Sequence, residues 1–312
     1  MAQLPELTAV RCLSDELYRT NSGLLRWHEP LAKRTTYRVG GPAEILYSPN
    51  DETDIVIAVN AARRYGVPFR ILGGGSNILI SDAGVPGLTI EMKSFLNAIR
   101  IDGDILTAAA GASLLQVVCS SVQRGLGGLE SLVGIPGTVG GGLRMNCGAF
   151  GSELSDCLES VQGVTSSGEP SCWMRSEITW DYRSAAELRD VIVTSARFRL
   201  TPRPREELRT RIREVLQQRR ERQPLEFPSA GSVFKRPPGD FAGRLIDAAG
   251  LKGMRIGDAE VSFKHGGFIV NRGSATASEI RALIEVVRSR VRESFGVSLE
   301  LEQVLWGFDD VP

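Results

Sequence analysis

The 312 residues are 42% hydrophobic and 24% charged, an ordinary balance for a soluble globular protein of about two domains. The 37 basic and 37 acidic residues cancel, which argues against a general attraction to nucleic acid or to an anionic membrane surface. No basic stretch followed by an apolar one opens the chain, and no run approaches the ~18 apolar residues of a membrane span. A cytoplasmic protein is therefore expected. The cysteines, Cys12, Cys119, Cys147, Cys157 and Cys172, are odd in number and widely spaced, which suits reduced thiols. With only His28 and His265, no zinc pattern or Ser-His-Asp triad can be assembled, and no metal is expected.

In chain order, residues 51–66 predict a helix, with acidic residues at its start, an apolar stripe of Ile55, Ala58, Val59 and Ala62, and Gly66 at its end. Residues 67–72 predict a strand that leads into Gly73-Gly74-Gly75-Ser76-Asn77, and residues 78–80 predict another. Successive backbone N–H groups in such a glycine turn form an anion nest, and Ser76 and Asn77 add polar side chains suited to a phosphate or ribitol. Short strands are expected at 88–92 and 99–108, the second broken by an Asp102-Gly103-Asp104 turn, and a helix at 113–123.

The segment Gly134–Gly151, GIPGTVGGGLRMNCGAFG, then spends seven of its eighteen positions on glycine and carries almost no charge. A core strand or helix is not expected there; glycine is kept where backbone must take φ > 0 or approach something closely. A large flat ligand is the expected neighbour, tight turns between buried strands the alternative. Neither glycine loop matches GxGxxG or GxxxxGK[ST], so nucleotide binding of a less common kind is expected.

Strands are predicted again at 160–164 and 191–200, and the mixture of hairpins and helices argues for an α+β fold. Pro202 and Pro204 mark a domain boundary. Residues 205–222 follow, with seven arginines against four glutamates and Leu208, Ile212, Val215 and Leu216 on one helical face. The arginines read mainly as a solvated, ion-paired face, because no aromatic residue interleaves them to stack on bases. Arg219, Arg220 and Arg222, at the far end, are placed to meet a phosphate. A capping box, Thr276 to Glu279, opens the last helix, with Ile280, Leu283, Ile284, Val287 and Val291 at helical spacing and Gly296 as its stop.

Between these two helices lie SAGSVFKRP from Ser229, GLKG from Gly250, and VSFKH with FIVN from Val261. A Gly-Ser step followed by two cations makes a phosphate or carboxylate site whose chemistry the residues alone leave open. These blocks, together with GGGSN, GIPGTVGG, the Asn-Cys-Gly-Ala-Phe-Gly at 146–151, Tyr182-Arg183-Ser184 and the terminal Leu299-Glu300-Leu301-Glu302, occur in an order that resembles the UDP-N-acetylenolpyruvoylglucosamine reductase (MurB) family. The resemblance runs from about residue 36 to 307 and is to the shorter type, without a tyrosine-bearing insertion. Cys147, Phe150 and Gly142 depart from the family's usual residues.

The resemblance implies a vanillyl-alcohol-oxidase-type FAD-binding fold of two subdomains within residues 1–202 (a PCMH-type core at about 36–202) and a smaller α+β substrate domain over 203–312. It implies FAD held by Gly73, Gly74, Gly75, Ser76, Asn77, Gly134, Ile135, Pro136, Gly137, Thr138, Gly140, Gly141, Asn146, Gly148 and Ala149. It also implies NADPH-dependent reduction of UDP-N-acetylglucosamine enolpyruvate in peptidoglycan precursor synthesis by a monomer. Ser232 is matched to the proton donor, Arg183 to a cation that stabilises developing charge, and Glu302 to the glutamate that assists; Glu302 is preferred over Glu300 as the second glutamate of the Leu-Glu-x-Glu pattern. Arg222, Lys235, Arg236, Lys264 and His265 are candidates for the substrate's or NADPH's anionic groups, with no pairing of cation to anion assigned. Taken singly, Arg183 reads as a surface arginine beside Asp181 and Ser232 as a turn hydroxyl; the ordered set of motifs carries the assignment. A related FAD oxidase and a nucleic-acid-binding protein built on the basic helix are the competing readings.

Overall fold

The acidic start of residues 51–66 becomes the helix Glu52–Arg64 because Asp51 caps it, its carboxylate accepting the Asp54 N–H at 3.0 Å. The helix buries Ile55, Ala58, Val59 and Ala62, the stripe its sequence predicts. The computed structural model in which it sits describes residues 3–20, 22–93 and 96–308. They fall into two units interleaved along the chain, one drawn from within Met1–His28, Glu44–Gly74 and Gly87–Gln217, the other from within Glu29–Ala43, Gly75–Pro86 and Gln218–Pro312. The prolines at 202 and 204 predict a single cut, whereas residues 75–86 group with the C-terminal residues. A parallel pairing of Ile78–Ile80 with Val304–Trp306 commits them there.

The first unit contains two larger sheets beside three two-stranded pairings. One, four-stranded, has the order Leu24–Pro30, Pro42–Ser48, Val85–Glu91, Phe69–Leu72, the last two strands parallel. The other, five-stranded and antiparallel, has the order Pro170–Met174, Leu158–Thr165, Val191–Arg199, Ile105–Ala109, Ile99–Asp102. Its last two strands are the hairpin predicted around Gly103. Val191–Arg199 is flanked by a strand on each side and buries Ile192, Val193, Ala196 and Phe198. On the basic helix, Arg205–Arg222, Leu208 and Val215 are buried and Ile212 and Leu216 pack half-buried on the same core. Its arginines are largely occupied: Arg209 and Arg213 pair with Glu206, and Arg211 with Glu214.

One expectation is corrected here. The glycine-rich segment does contain a helix, Val139–Arg144, capped by Thr138, whose Oγ1 accepts the Gly141 N–H at 3.4 Å. The glycines serve close packing: a Cβ on Gly140 meets Ala110 Cβ at 3.0 Å, and one on Gly142 meets Cys147 Sγ at 3.0 Å and Leu154 Cδ2 at 3.1 Å.

The second unit is built on the helix Ala277–Phe295, whose Ile280, Leu283, Ile284, Val287 and Val291 are buried in a core shared with Ala259, Val261 and Ile269 of a three-stranded antiparallel sheet. The capping box of Thr276 and Glu279 is formed as predicted, and Gly296 ends the helix in the left-handed region. A second cap comes from far away in sequence: Asp82 accepts the amides of Ala277 and Ser278 and the Ser278 hydroxyl at 2.7–2.8 Å. Burial works to raise the Asp82 pKa, but these hydrogen bonds outweigh it and hold the carboxyl below its ordinary 3.8. A depressed folded-state pKa stabilises the fold above the unfolded value, and that contribution fades as pH falls through the folded one. Asp82→Ala should therefore cost about 1 kcal/mol in urea unfolding at pH 7, with the gap to the parent closing below about pH 4.

Candidate active site

Where the strand Phe69–Leu72 ends, the chain turns through Gly73 and Gly74, and this turn lies directly on the second glycine segment. A Cβ on Gly73 falls 2.6 Å from Thr138 Oγ1, and one on Gly74 falls 2.6 Å from Gly137 Cα, closer than any side chain permits. The two loops meet backbone to backbone. Main-chain bonds fix the second loop: Leu114 N–H donates to Gly137 at 3.1 Å, Val139 N–H to Ala112 at 3.0 Å and Gly140 N–H to Ala110 at 2.9 Å. Among the described residues, the amides of Gly73, Gly74, Gly137 and Thr138 find no acceptor in the protein. N–H groups left unanswered in this way, three of the four on glycine, suit an anion such as a diphosphate.

Further along the same segment, Asn146 is completely buried with φ 37°. Its Nδ2 donates to the Glu153 carboxylate at 2.6 Å and to the Asp181 carbonyl at 3.3 Å, while Oδ1 is buried without a partner among the described residues. Gly148–Ala149 pairs with Ser152–Glu153 as a hairpin whose turn residues, Phe150 and Gly151, are both left-handed. Arg183 sits in a second hairpin, between Trp180–Asp181 and Ser184–Ala185, also left-handed with φ 56°. A non-glycine residue held there costs on the order of 1 kcal/mol, and such strain gathers at functional sites. The half-buried guanidinium lies 5.0 Å from the Tyr182 ring centroid and donates to the Gly148 carbonyl at 3.3 Å. Arg183 is thus brought onto the glycine segment from 35 residues away.

In the second unit, Gly231 turns the chain with φ 73° immediately before Ser232, and a Cβ placed on it would meet nothing within 4 Å. Ser232 bridges antiparallel to Phe268, the Val233 N–H donates to the Gly267 carbonyl at 2.9 Å, and Phe234 bridges to Leu301. The terminal glutamates part company. Residues 299–302 form no continuous strand: Leu301 makes a single bridge and the strand starts at Val304. Glu300 is exposed, with Lys235 Nζ 3.4 Å away. Glu302 is half-buried, its N–H donating to the Val233 carbonyl at 2.9 Å and its carbonyl accepting the Asn77 side-chain amide at 2.9 Å.

The predicted cations lie in this unit too. Arg236 stacks 4.3 Å from the Phe241 ring centroid, Lys264 reaches Glu226 at 3.9 Å and Arg222 is exposed near the end of the basic helix. His265 has a different occupation: its Nδ1 accepts the Gly267 N–H at 3.1 Å and its ring packs edge-on against Phe268. Burial pushes its pKa below the usual histidine value, opposed by a hydrogen bond to its own backbone and aided by Lys252. At neutral pH it is an uncharged brace for the turn facing Ser232–Val233.

Residues 223–306 match the family described as UDP-N-acetylenolpyruvoylglucosamine reductase, C-terminal domain, and residues 43–171 match the FAD binding domain family. The UDP-N-acetylenolpyruvoylglucosamine reductase of Moorella thermoacetica is 44% identical over 280 residues, covering 90% of this chain and 92% of its own. That of Agathobacter rectalis is 42% identical over 313 residues, covering 96% and 98%. The chain belongs to this family. The crystal structure of the MurB enzyme from Thermus caldophilus superposes with a TM-score of 0.76 at 37% identity, over 91% of this chain and 98% of that one. Berberine bridge enzyme, at 13% identity and a TM-score of 0.50 over 62% of this chain, shares the fold alone. The vanillyl-alcohol-oxidase-type FAD-binding fold with a smaller α+β domain is therefore the fold of this protein.

Within each unit the family's motifs converge as their order in sequence implies. Thr138, Gly137, Gly73 and Gly74 meet; Arg183 joins Gly148; Ser232, Glu302 and Asn77 are linked through Val233 and the Glu302 carbonyl. Glu153 and the Asp181 carbonyl, which hold Asn146, are absent from the sequence-derived set, since an acidic residue and a main-chain oxygen carry no motif. Among the described residues no group of three or more metal-ligating side chains occurs, and no helix is long and apolar enough to cross a membrane. Gly74→Ala forces a methyl into the Gly137 backbone and should part the two loops. The purified variant should lose bound flavin, with affinity down by about tenfold or more (~1.4 kcal/mol), as read from the ratio of visible flavin to protein absorbance during dilution.

Proposed function

We propose that this chain reduces UDP-N-acetylglucosamine enolpyruvate to UDP-N-acetylmuramate with NADPH and bound FAD, as a cytoplasmic monomer supplying peptidoglycan synthesis. The observation that carries this reading is the junction of Gly73–Gly74 with Gly137–Thr138, whose amides have no acceptor among the described residues, in a chain of this family. That cradle fits the diphosphate of FAD, and the buried Oδ1 of Asn146 offers an acceptor to an N–H of the cofactor. Bound there, FAD would supply the hydride chemistry that links NADPH to the enolpyruvyl double bond.

The remaining chemistry falls to side chains. Hydride arrival at one carbon builds negative charge on its neighbour and on the attached carboxylate, and a fixed guanidinium lowers that barrier electrostatically; Arg183, held by the Gly148 carbonyl, is assigned this role. The neighbouring carbon then needs a proton, and Ser232 is assigned as its donor. A serine hydroxyl is a weak acid, so Glu302, whose backbone is bonded to Val233, is assigned to assist it or to polarise the intermediate. Arg222, Lys235, Arg236 and Lys264 are assigned to the diphosphates and carboxylate of substrate and NADPH, and His265 to bracing the turn that carries Lys264. The division of labour at residue 202, with FAD held before it and substrate bound after it, belongs to the same reading.

The reading is tested by recording the visible spectrum anaerobically, adding NADPH and then the enolpyruvyl substrate. Flavin bands should bleach with the first and return with the second; a protein that cannot be loaded with FAD would sink the proposal. In stopped flow, Ser232→Ala should leave bleaching by NADPH near the parent rate and slow the return by at least about a hundredfold, since general acid catalysis typically supplies ~10²–10⁴. Arg183→Lys should also slow the return, by about tenfold or more, because an ammonium cannot reproduce the guanidinium's fixed fork. Unchanged turnover in that variant removes Arg183 from the mechanism.

A further inference from the structure

Resting on the roles proposed for Ser232 and Glu302, we infer that Gln303 is a positioning residue that keeps these two side chains in mutual register, with Tyr37 as its anchor. Gln303 directly follows Glu302 and is 3% exposed, and Tyr37, 266 residues away, is completely buried. The Gln303 Nε2 donates to the carbonyls of Ala230 at 3.0 Å and Gly231 at 3.4 Å, the two residues that precede Ser232. The same amide group faces the Tyr37 hydroxyl, with Nε2 and Oε1 each 3.2 Å from it.

The backbone completes the frame. The amides of Glu302 and Gln303 both approach the Val233 carbonyl, at 2.9 and 3.5 Å, and the Asn77 side chain holds the Glu302 carbonyl at 2.9 Å. Ser232 is therefore gripped from its N-terminal side by the Gln303 side chain and from its C-terminal side by the Glu302–Gln303 backbone. A shift of either segment carries the other with it. Tyr37 is fixed in turn, its carbonyl accepting the Asn271 side-chain amide at 3.1 Å. Burial raises the Tyr37 pKa, so its hydroxyl stays protonated and available to Gln303.

Gly231 explains why such a grip is required. It takes φ 73°, a side chain placed on it would meet nothing, and no regular ladder runs through it, so Gly231 itself does little to fix the peptide before Ser232. A buried amide costs free energy unless its hydrogen bonds are made, and an apolar side chain would fill the same space without them. The Gln303 amide spends its donors on the two carbonyls that set the direction of Ser232.

The test is stopped-flow measurement of both half-reactions on flavin-loaded parent, Gln303→Leu, Tyr37→Phe and Ser232→Ala. Gln303→Leu should slow flavin reoxidation at saturating enolpyruvyl substrate by about 10–100-fold, the order of cost of a ~1 Å misplacement. Flavin reduction by NADPH should stay within about twofold and the substrate dissociation constant within about threefold, a split that a general loss of stability does not produce. Tyr37→Phe removes one hydroxyl and keeps both carbonyl bonds, and should slow reoxidation by about fivefold, the worth of one ordinary hydrogen bond. Should Gln303→Leu fail to fold, Tyr37→Phe decides alone: slowing confined to reoxidation supports the role, and none overturns it. Normal reoxidation in Gln303→Leu, or equal slowing of both half-reactions, also overturns it. Ser232→Ala separates the two levels: a normal rate there overturns the role of Ser232 itself, whereas a slow Ser232→Ala beside a normal Gln303→Leu overturns only the positioning.

Discussion

At the junction of Gly73–Gly74 with Gly137–Thr138, Gly74 lies against Gly137 main chain to main chain and Gly73 lies against the Thr138 hydroxyl. Everything proposed for the first unit depends on this approach. A methyl on Gly73 or Gly74 meets the opposing loop at 2.6 Å, so no larger residue at either position keeps both loops in place. What results is a rim of amides fixed by the surrounding ladder and answered by no protein acceptor among the described residues. In a mostly apolar neighbourhood, built from Ala110, Ala112, Leu114 and Val139, such amides are costly unless an anion or water accepts from them. The junction is a packing feature and a binding feature for one reason, the absence of Cβ atoms at Gly73, Gly74 and Gly137.

Around it, polar contacts are spent on orientation. Asn146 ties the glycine segment to Glu153 and to the main chain of the Arg183 hairpin, and Arg183 returns the contact through Gly148. Asn146, Phe150 and Arg183 all adopt left-handed backbone although none is glycine. Several sparsely populated conformations in so short a span are held only because their surroundings over-determine them. The second unit uses the same economy. The side-chain amides of Gln303 and Asn77 bond to main-chain carbonyls beside Ser232 and of Glu302, and Asn271 holds the main chain of Tyr37, whose phenol faces Gln303.

Much of the scaffold was legible in the residues because it follows from local rules. The helix at 277–295 declared its start by Thr276 and Glu279 and its stop by Gly296, and the strand at 191–199 declared its burial by continuous apolar and β-branched residues. The helix at 139–144 was illegible, since three consecutive glycines argue against a helix unless something must pack closely on it, as Ala110 and Leu154 do. His265 was legible as a polar residue in a functional block but not as a neutral brace, because its charge state depends on burial and on the Gly267 amide. Glu302 is preferred over Glu300 in the sequence on motif position alone, and the structure gives the two different surroundings, solvent and Lys235 for one and Val233 with Asn77 for the other.

By itself the sequence determined the α+β class, the principal helices and strands, the family and the residue types its chemistry requires, since periodicity, caps and ordered motifs are properties of neighbours along the chain. Only the tertiary structure decided that the glycine loops at 73 and 137 touch, that residues 75–86 belong with the C-terminal unit, and that Tyr37 and Gln303 share a hydrogen bond across 266 residues. Those facts arise from pairing between distant segments, where the free energy lies in desolvation and in backbone hydrogen bonds that carry no mark in the identity of the residues making them.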